Sequence, residues 1–127
     1  MIVVDASAAL SAVLNAGPAR RALADEQLHA PHLIDSEVAN GLRRRVAAEQ
    51  LSAAAGWNAL NAWRSLGMTR YAVFSLLERV WELRDNLSAY DASYVALAEA
   101  LHCNLVTADR RLSRAPTIRC AVLTMPS

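Results

Sequence analysis

Ile2-Val3-Val4 is a short apolar run that stops on Asp5, and Leu105-Val106-Thr107 is a second that stops just short of Asp109. Strands apolar on both faces have no side to give to water, so they fit a parallel sheet covered by helices rather than a half-exposed one. That constraint sets the fold class. Between the two runs the periodicity is helical. The spacing predicts helices over 6–14 and from Pro18 to about 26, a brief strand at 28–30, a long helix after Pro31 broken near Ser52, and a helix from there to about 66. A short strand at 71–73, a helix over 75–84, a Ser88-capped helix to about His102, and strands at 104–107 and 118–123 complete the pattern. Strands alternating with helices predict an α/β fold: a short parallel sheet of four to five strands flanked by helices in three layers, α/β/α. In such sheets ligands bind at the carboxyl ends of the strands.

With 127 residues, no repeat and no linker, the chain reads as a single domain over 1–127. Its hydrophobic content of 54%, with 4 Gly and 4 Pro, excludes disordered and collagen-like classes. No apolar run spans a bilayer, and Met1 leads into Ile2 without a basic segment, so neither a membrane span nor a signal peptide is expected. Cys103 and Cys120 do not make a disulfide framework and read as small buried hydrophobes of a cytoplasmic protein. Every basic residue is arginine, and the chain contains no lysine. Mechanisms that depend on a lysine, such as P-loop phosphate binding or a Schiff base, are thereby excluded.

Asp5 and Asp109 each follow a strand at the end where ligands bind. A solvated loop aspartate is the plain reading of either one alone; two at strand ends of one sheet point to a site. Asp91 lies in Ser88-Ala89-Tyr90-Asp91, which matches a capping box. It also heads the stripe of Tyr94, Val95 and Ala98, which turns its carboxylate toward the core side. Glu37 shares a helix face with Asn40 and Arg44, whereas Asp35 projects to the other side, as a cap or into solvent. Four carboxylates gathered in one pocket would raise one another's pKa values unless a cation neutralised them. All-oxygen ligation without His or Cys selects Mg²⁺ or Mn²⁺ over zinc. Ser7, Asn40 and Thr107 are placed to orient the carboxylates. Arg44, Arg110, Arg111 and Arg114 suit phosphate contacts. His29, His32 and His102 lack partners at metal-ligand spacing and read as structural. Trp57 falls off its helix's apolar face, either as an interface anchor or as a cap on the edge of the core.

The segments I-V-V-D-A-S, S-E-V-A-N, Y-D-A-S-Y-V-A-L-A and L-V-T-A-D-R-R-L, in this order along nearly the whole chain, resemble those of PIN-domain nucleases, and within them VapC-type toxins of toxin–antitoxin pairs. The resemblance implies a PIN-like fold and an Mg²⁺- or Mn²⁺-dependent endoribonuclease. Its substrate would be structured RNA such as tRNA or rRNA, cut to leave a 5′-phosphate and so inhibiting translation. It further implies Asp5, Glu37, Asp91 and Asp109 as the acidic quartet, with Ser7, Asn40 and Thr107 assisting. A homodimer and a small VapB-type antitoxin that blocks the acidic pocket are implied as well. The competing reading of the same acids is a non-catalytic module that holds a structural ion or a basic partner.

Overall fold

The computed structural model describes residues 1–126. Strands β1 (Ile2–Val4), β2 (Leu28–Pro31), β3 (Thr69–Tyr71), β4 (Asn104–Thr107) and β5 (Val122–Thr124) form one sheet in the order β3-β2-β1-β4-β5. Every pairing is parallel, with Val3 opposite His29 on one side and Leu105 on the other. Helices α1 (Ala6–Leu14), α2 (Pro18–Ala24), α3 (Leu33–Ala47), α4 (Ala53–Arg64), α5 (Leu77–Glu82), α6 (Ala89–Leu101) and α7 (Arg110–Arg114) flank it. The strand order makes β1 and β4 the central neighbours, approached by crossovers that run in opposite directions. The crevice beyond their carboxyl ends is where such folds take ligands.

Burial follows from the sequence pattern. Val3, Val4, Leu105 and Val106 are sealed between the helical layers at 1% exposure or less. From Ala92 to Ala98, α6 is buried without a break and packs across β1, β2 and β4. It ends on His102, whose left-handed φ of 53° closes the helix in the way glycine or asparagine more commonly does. No helix among the described residues is long and apolar enough to cross a membrane.

Several boundaries differ from the sequence reading. The strand expected at 71–73 lies at Thr69–Tyr71, because His29–Pro31 of β2 offers its ladder there. The last strand is only Val122–Thr124. The chain before it is held as a loop by two side chains, with Arg79 Nη2 donating to the Thr117 carbonyl and the Arg119 N–H donating to Glu99. The helix expected over 75–84 divides into a 3-10 turn at Phe74–Leu76 and α5, with Phe74, Leu77 and Trp81 exposed. Cys103 and Cys120 are half-exposed thiols rather than buried ones. His29 is buried and shares a 2.6 Å hydrogen bond between its Nδ1 and the Tyr71 hydroxyl, tying β2 to β3.

Asp35 is neither a simple cap nor solvated. Its carboxylate accepts from Arg70 Nε at 2.7 Å and Nη2 at 2.9 Å, and from Trp63 Nε1 at 2.8 Å. Trp63 is 2% exposed, so its N–H needs this partner. The cluster fixes α3 against α4 and β3, two residues ahead of Glu37. The Arg70 guanidinium holds the Asp35 carboxyl below its ordinary pKa. Its contribution is therefore complete above the ordinary aspartate value and fades as the pH falls through the lowered one. Asp35→Ala is expected to cost about 1–3 kcal/mol at pH 7, the penalty of an orphaned buried donor. In urea unfolding, the gap from wild type should narrow below about pH 4.

Candidate functional site

Asp5 caps α1 from the end of β1. Its Oδ1 accepts from the Ala8 N–H at 3.0 Å and from Ser7 Oγ at 2.7 Å, and its Oδ2 accepts from Thr107 Oγ1. The same hydroxyls stitch β1 to β4. The Ala108 N–H donates to Ser7 Oγ at 2.9 Å, and the Asp109 N–H donates to Thr107 Oγ1 at 3.0 Å. Ser7 and Thr107, expected to orient carboxylates, are thus the links between Asp5 and the Asp109 backbone. Asp5 is 5% exposed, and burial pushes its pKa up against the pull of its three donors.

Asp5, Glu37, Asp91 and Asp109 line one cavity of about 210 Å³, together with Ser7, Asn40, Arg44 and Tyr94. Four separate elements supply the acids. Asp91 sits in the first turn of α6, where the Ser88 hydroxyl accepts from the Asp91 N–H at 3.1 Å. The Ser88 half of the capping box therefore forms, with Ser88 hydrogen bonding easing the Asp91 carboxyl, while the Asp91 side chain lines the cavity, so the capping and cavity roles coexist. Burial raises its pKa, and repulsion from Asp109 adds to the rise. Glu37 Oε1 accepts from the Tyr94 hydroxyl at 2.6 Å. Burial raises the Glu37 pKa as well, with Asp91 and Asp5 contributing through repulsion.

Asp109 differs from the other three. It caps α7, and both its oxygens are held by the Arg111 guanidinium, at 3.1 Å from Nε and 2.8 Å from Nη2. Arg111 holds the Asp109 carboxyl below the ordinary range. The arginines therefore separate. Arg44 stands in the cavity wall, Arg111 grips an acid, and Arg110 and Arg114 line a separate groove with Ser113 and Thr124. Asn40 is in the wall, with its Oδ1 accepting from Arg43 at 2.9 Å.

Tyr94 is the site residue that sequence reasoning placed only on the buried stripe. The signal was present: a phenol in an otherwise small and aliphatic stripe must find a partner when buried. Trp57 lies on the rim of an apolar groove between α3 and α4, with Leu42, Val46 and Leu60.

Among the described residues no three of the acids stand close enough to form a ready-made ion cage. Each of three acids is engaged by protein donors, Asp5 by three with Oδ2 taking only one of them, Asp109 by Arg111 and Glu37 by Tyr94. The chemistry of the set nevertheless suits a hard divalent cation. The donors are all oxygen, and three carboxylates pushed toward protonation by burial and repulsion would be relieved by positive charge.

The chain matches the PIN domain family over residues 2–118. It is 61% identical over 126 residues to Ribonuclease VapC9 of Mycobacterium tuberculosis, covering 99% of each chain. The crystal structure of PAE2754 from Pyrobaculum aerophilum superposes with a TM-score of 0.72 at 27% identity, over 95% of this chain and 81% of that one. VapC20 of M. tuberculosis, described as a sarcin-ricin loop cleaving toxin, shares the fold with a TM-score of 0.66 at 23% identity, over 90% of this chain and 94% of that one. The chain belongs to the PIN-domain family, and within it to the VapC-type ribonucleases.

Proposed function

We propose that this VapC-type ribonuclease hydrolyses phosphodiester bonds of structured RNA, tRNA or rRNA, with Mg²⁺ or Mn²⁺ held by Asp5, Glu37, Asp91 and Asp109. Cleavage would leave a 5′-phosphate and inhibit translation. The observation that carries the reading is the convergence of four acids, from four elements, on one cavity at the carboxyl ends of β1 and β4. When bound, the cation would neutralise the carboxylates, contact the scissile phosphate and lower the pKa of the attacking water.

The chain's own residues do the rest. Asp5 is held rigid by Ser7, the Ala8 N–H and Thr107, so it can act as the fixed reference for the site. Asp91 brings a half-buried carboxylate from the first turn of α6 to the cavity wall. Arg44 and Asn40 stand in the wall where a phosphate oxygen would lie. Arg110 and Arg114, which line a separate groove with Ser113 and Thr124, offer a second contact to the RNA backbone, as does the exposed Arg111. In the reaction water attacks phosphorus, the bond to O3′ breaks, and O3′ takes up a proton.

The proposed VapB-type antitoxin is supported by the apolar groove between α3 and α4, which a partner's apolar side chains would fill beside Trp57. The proposed homodimer is supported by the exposed stripe Phe74, Leu77 and Trp81, whose spacing puts all three on one face. A cytoplasmic location is part of the same proposal.

Asp91→Asn is the cleanest test, because Asp5→Asn would turn an amide toward donors that need an acceptor. Cleavage of total tRNA and rRNA should fall at least about 100-fold in this variant. The metal-free variant should melt roughly 2–6 °C above wild type, since a repelled carboxylate has been removed. Full cleavage by Asp91→Asn would refute the assignment. Replacing Arg110 and Arg114 with Gln should weaken RNA binding and flatten its dependence on log salt by roughly 1.4, about 0.7 per lost contact to a single strand. An unchanged slope would place the RNA elsewhere.

A further inference from the structure

We infer that Tyr94 is a positioning residue: its hydroxyl, donated to Glu37 across the cavity, sets the spacing of α3 from α6 and decides which Glu37 oxygen faces the other acids. The inference rests on the metal-dependent reading above. Tyr94 is 1% exposed, and its 2.6 Å bond to Glu37 Oε1 joins residues 57 apart in sequence. Among the described residues it is the one hydrogen bond between α3 and α6. Tyr94 lies one helical turn beyond Asp91, so α6 carries the Asp91 carboxylate and the Tyr94 hydroxyl as one rigid piece. Glu37 and Asp91 are thereby referenced to each other without touching.

The direction of the bond is fixed. A carboxylate has only acceptors and a phenol carries the proton, so Tyr94 donates and Glu37 Oε1 accepts. One Glu37 oxygen is therefore committed to Tyr94, which leaves Oε2 for a cation or for water. Without the hydroxyl, Glu37 could rotate away from the acids that repel it. The contact would then act through Glu37 and not on the substrate.

The test uses the full chain freed of antitoxin. Mn²⁺ binding is followed by electron paramagnetic resonance of free Mn²⁺, and RNA cleavage is measured in parallel. Wild type is compared with Tyr94→Phe, Glu37→Gln and the double variant. Tyr94→Phe should weaken Mn²⁺ binding about 10-fold and lower kcat by a similar factor, with KM for RNA unchanged. The substitution should add little once Glu37 is Gln. Wild-type Mn²⁺ affinity and kcat in Tyr94→Phe would overturn the inference, as would equal losses in the Glu37→Gln background. Absence of Mn²⁺ binding in wild type would instead overturn the metal-dependent reading, so the two failures are separable. Should Tyr94→Phe not fold, fluorotyrosine-labelled wild type supplies the answer. Of its 3 tyrosine resonances, the one assigned to Tyr94 should shift on adding Mg²⁺ and in Glu37→Gln, and an immobile signal would overturn the inference.

Discussion

The carboxylate of Asp5 joins the two central strands at the end where the acids meet. Three donors converge on it, from Ser7, Ala8 and Thr107, and the same two hydroxyls then receive the backbone N–H groups of Ala108 and Asp109. One buried aspartate thus caps α1, locks the start of α1 to the end of β4 and delivers Asp109 to the cavity. Burying a charge is costly unless hydrogen bonds compensate it, and here they fix its geometry as they do so. Glu37 and Asp91 are then brought to this fixed point from α3 and α6, with Tyr94 spanning the gap.

The resulting pocket is in electrostatic tension. Asp5, Glu37 and Asp91 all hold protons more tightly than free carboxylates do, through burial first and mutual repulsion second. Asp109 escapes only because Arg111 grips it. Two half-buried acids elsewhere have arginine partners: Asp35 with Arg70, and Glu99 with Arg79. A fold that pairs acids with arginines in those places and gathers three without a salt bridge in one cavity favours an external cation there.

Much of this was legible in the sequence because it rests on short-range rules. Apolar runs ending on Asp5 and just before Asp109 mark the central strands and the sheet edge where the acids gather. Ser52 and Ser88 capped their helices as their spacing requires. The parallel α/β class and the four acids of the cavity followed from these marks. What was not legible depends on contacts between distant elements. The place of β3 is set by the free edge of β2, and the loop before β5 by Arg79 and Glu99. Asp35 reads from sequence as a cap or a solvated side chain because its partners Trp63 and Arg70 lie 28 and 35 residues away. The Tyr94–Glu37 bond and the division of labour among Arg44, Arg110, Arg111 and Arg114 were hidden for the same reason.

The most direct measurement is the melting temperature of the metal-free chain against pH, with and without Mg²⁺. Carboxylates whose folded pKa values are raised favour the fold below their ordinary values, and that contribution is lost as the pH rises through the raised ones. A bound cation should cancel the loss by stabilising the ionised cluster. The account predicts a clear Mg²⁺-induced rise in melting temperature at pH 7.5 that shrinks toward pH 5 and is sharply reduced in Asp91→Asn. No rise at pH 7.5, or one that is the same at both pH values and in the variant, would contradict it.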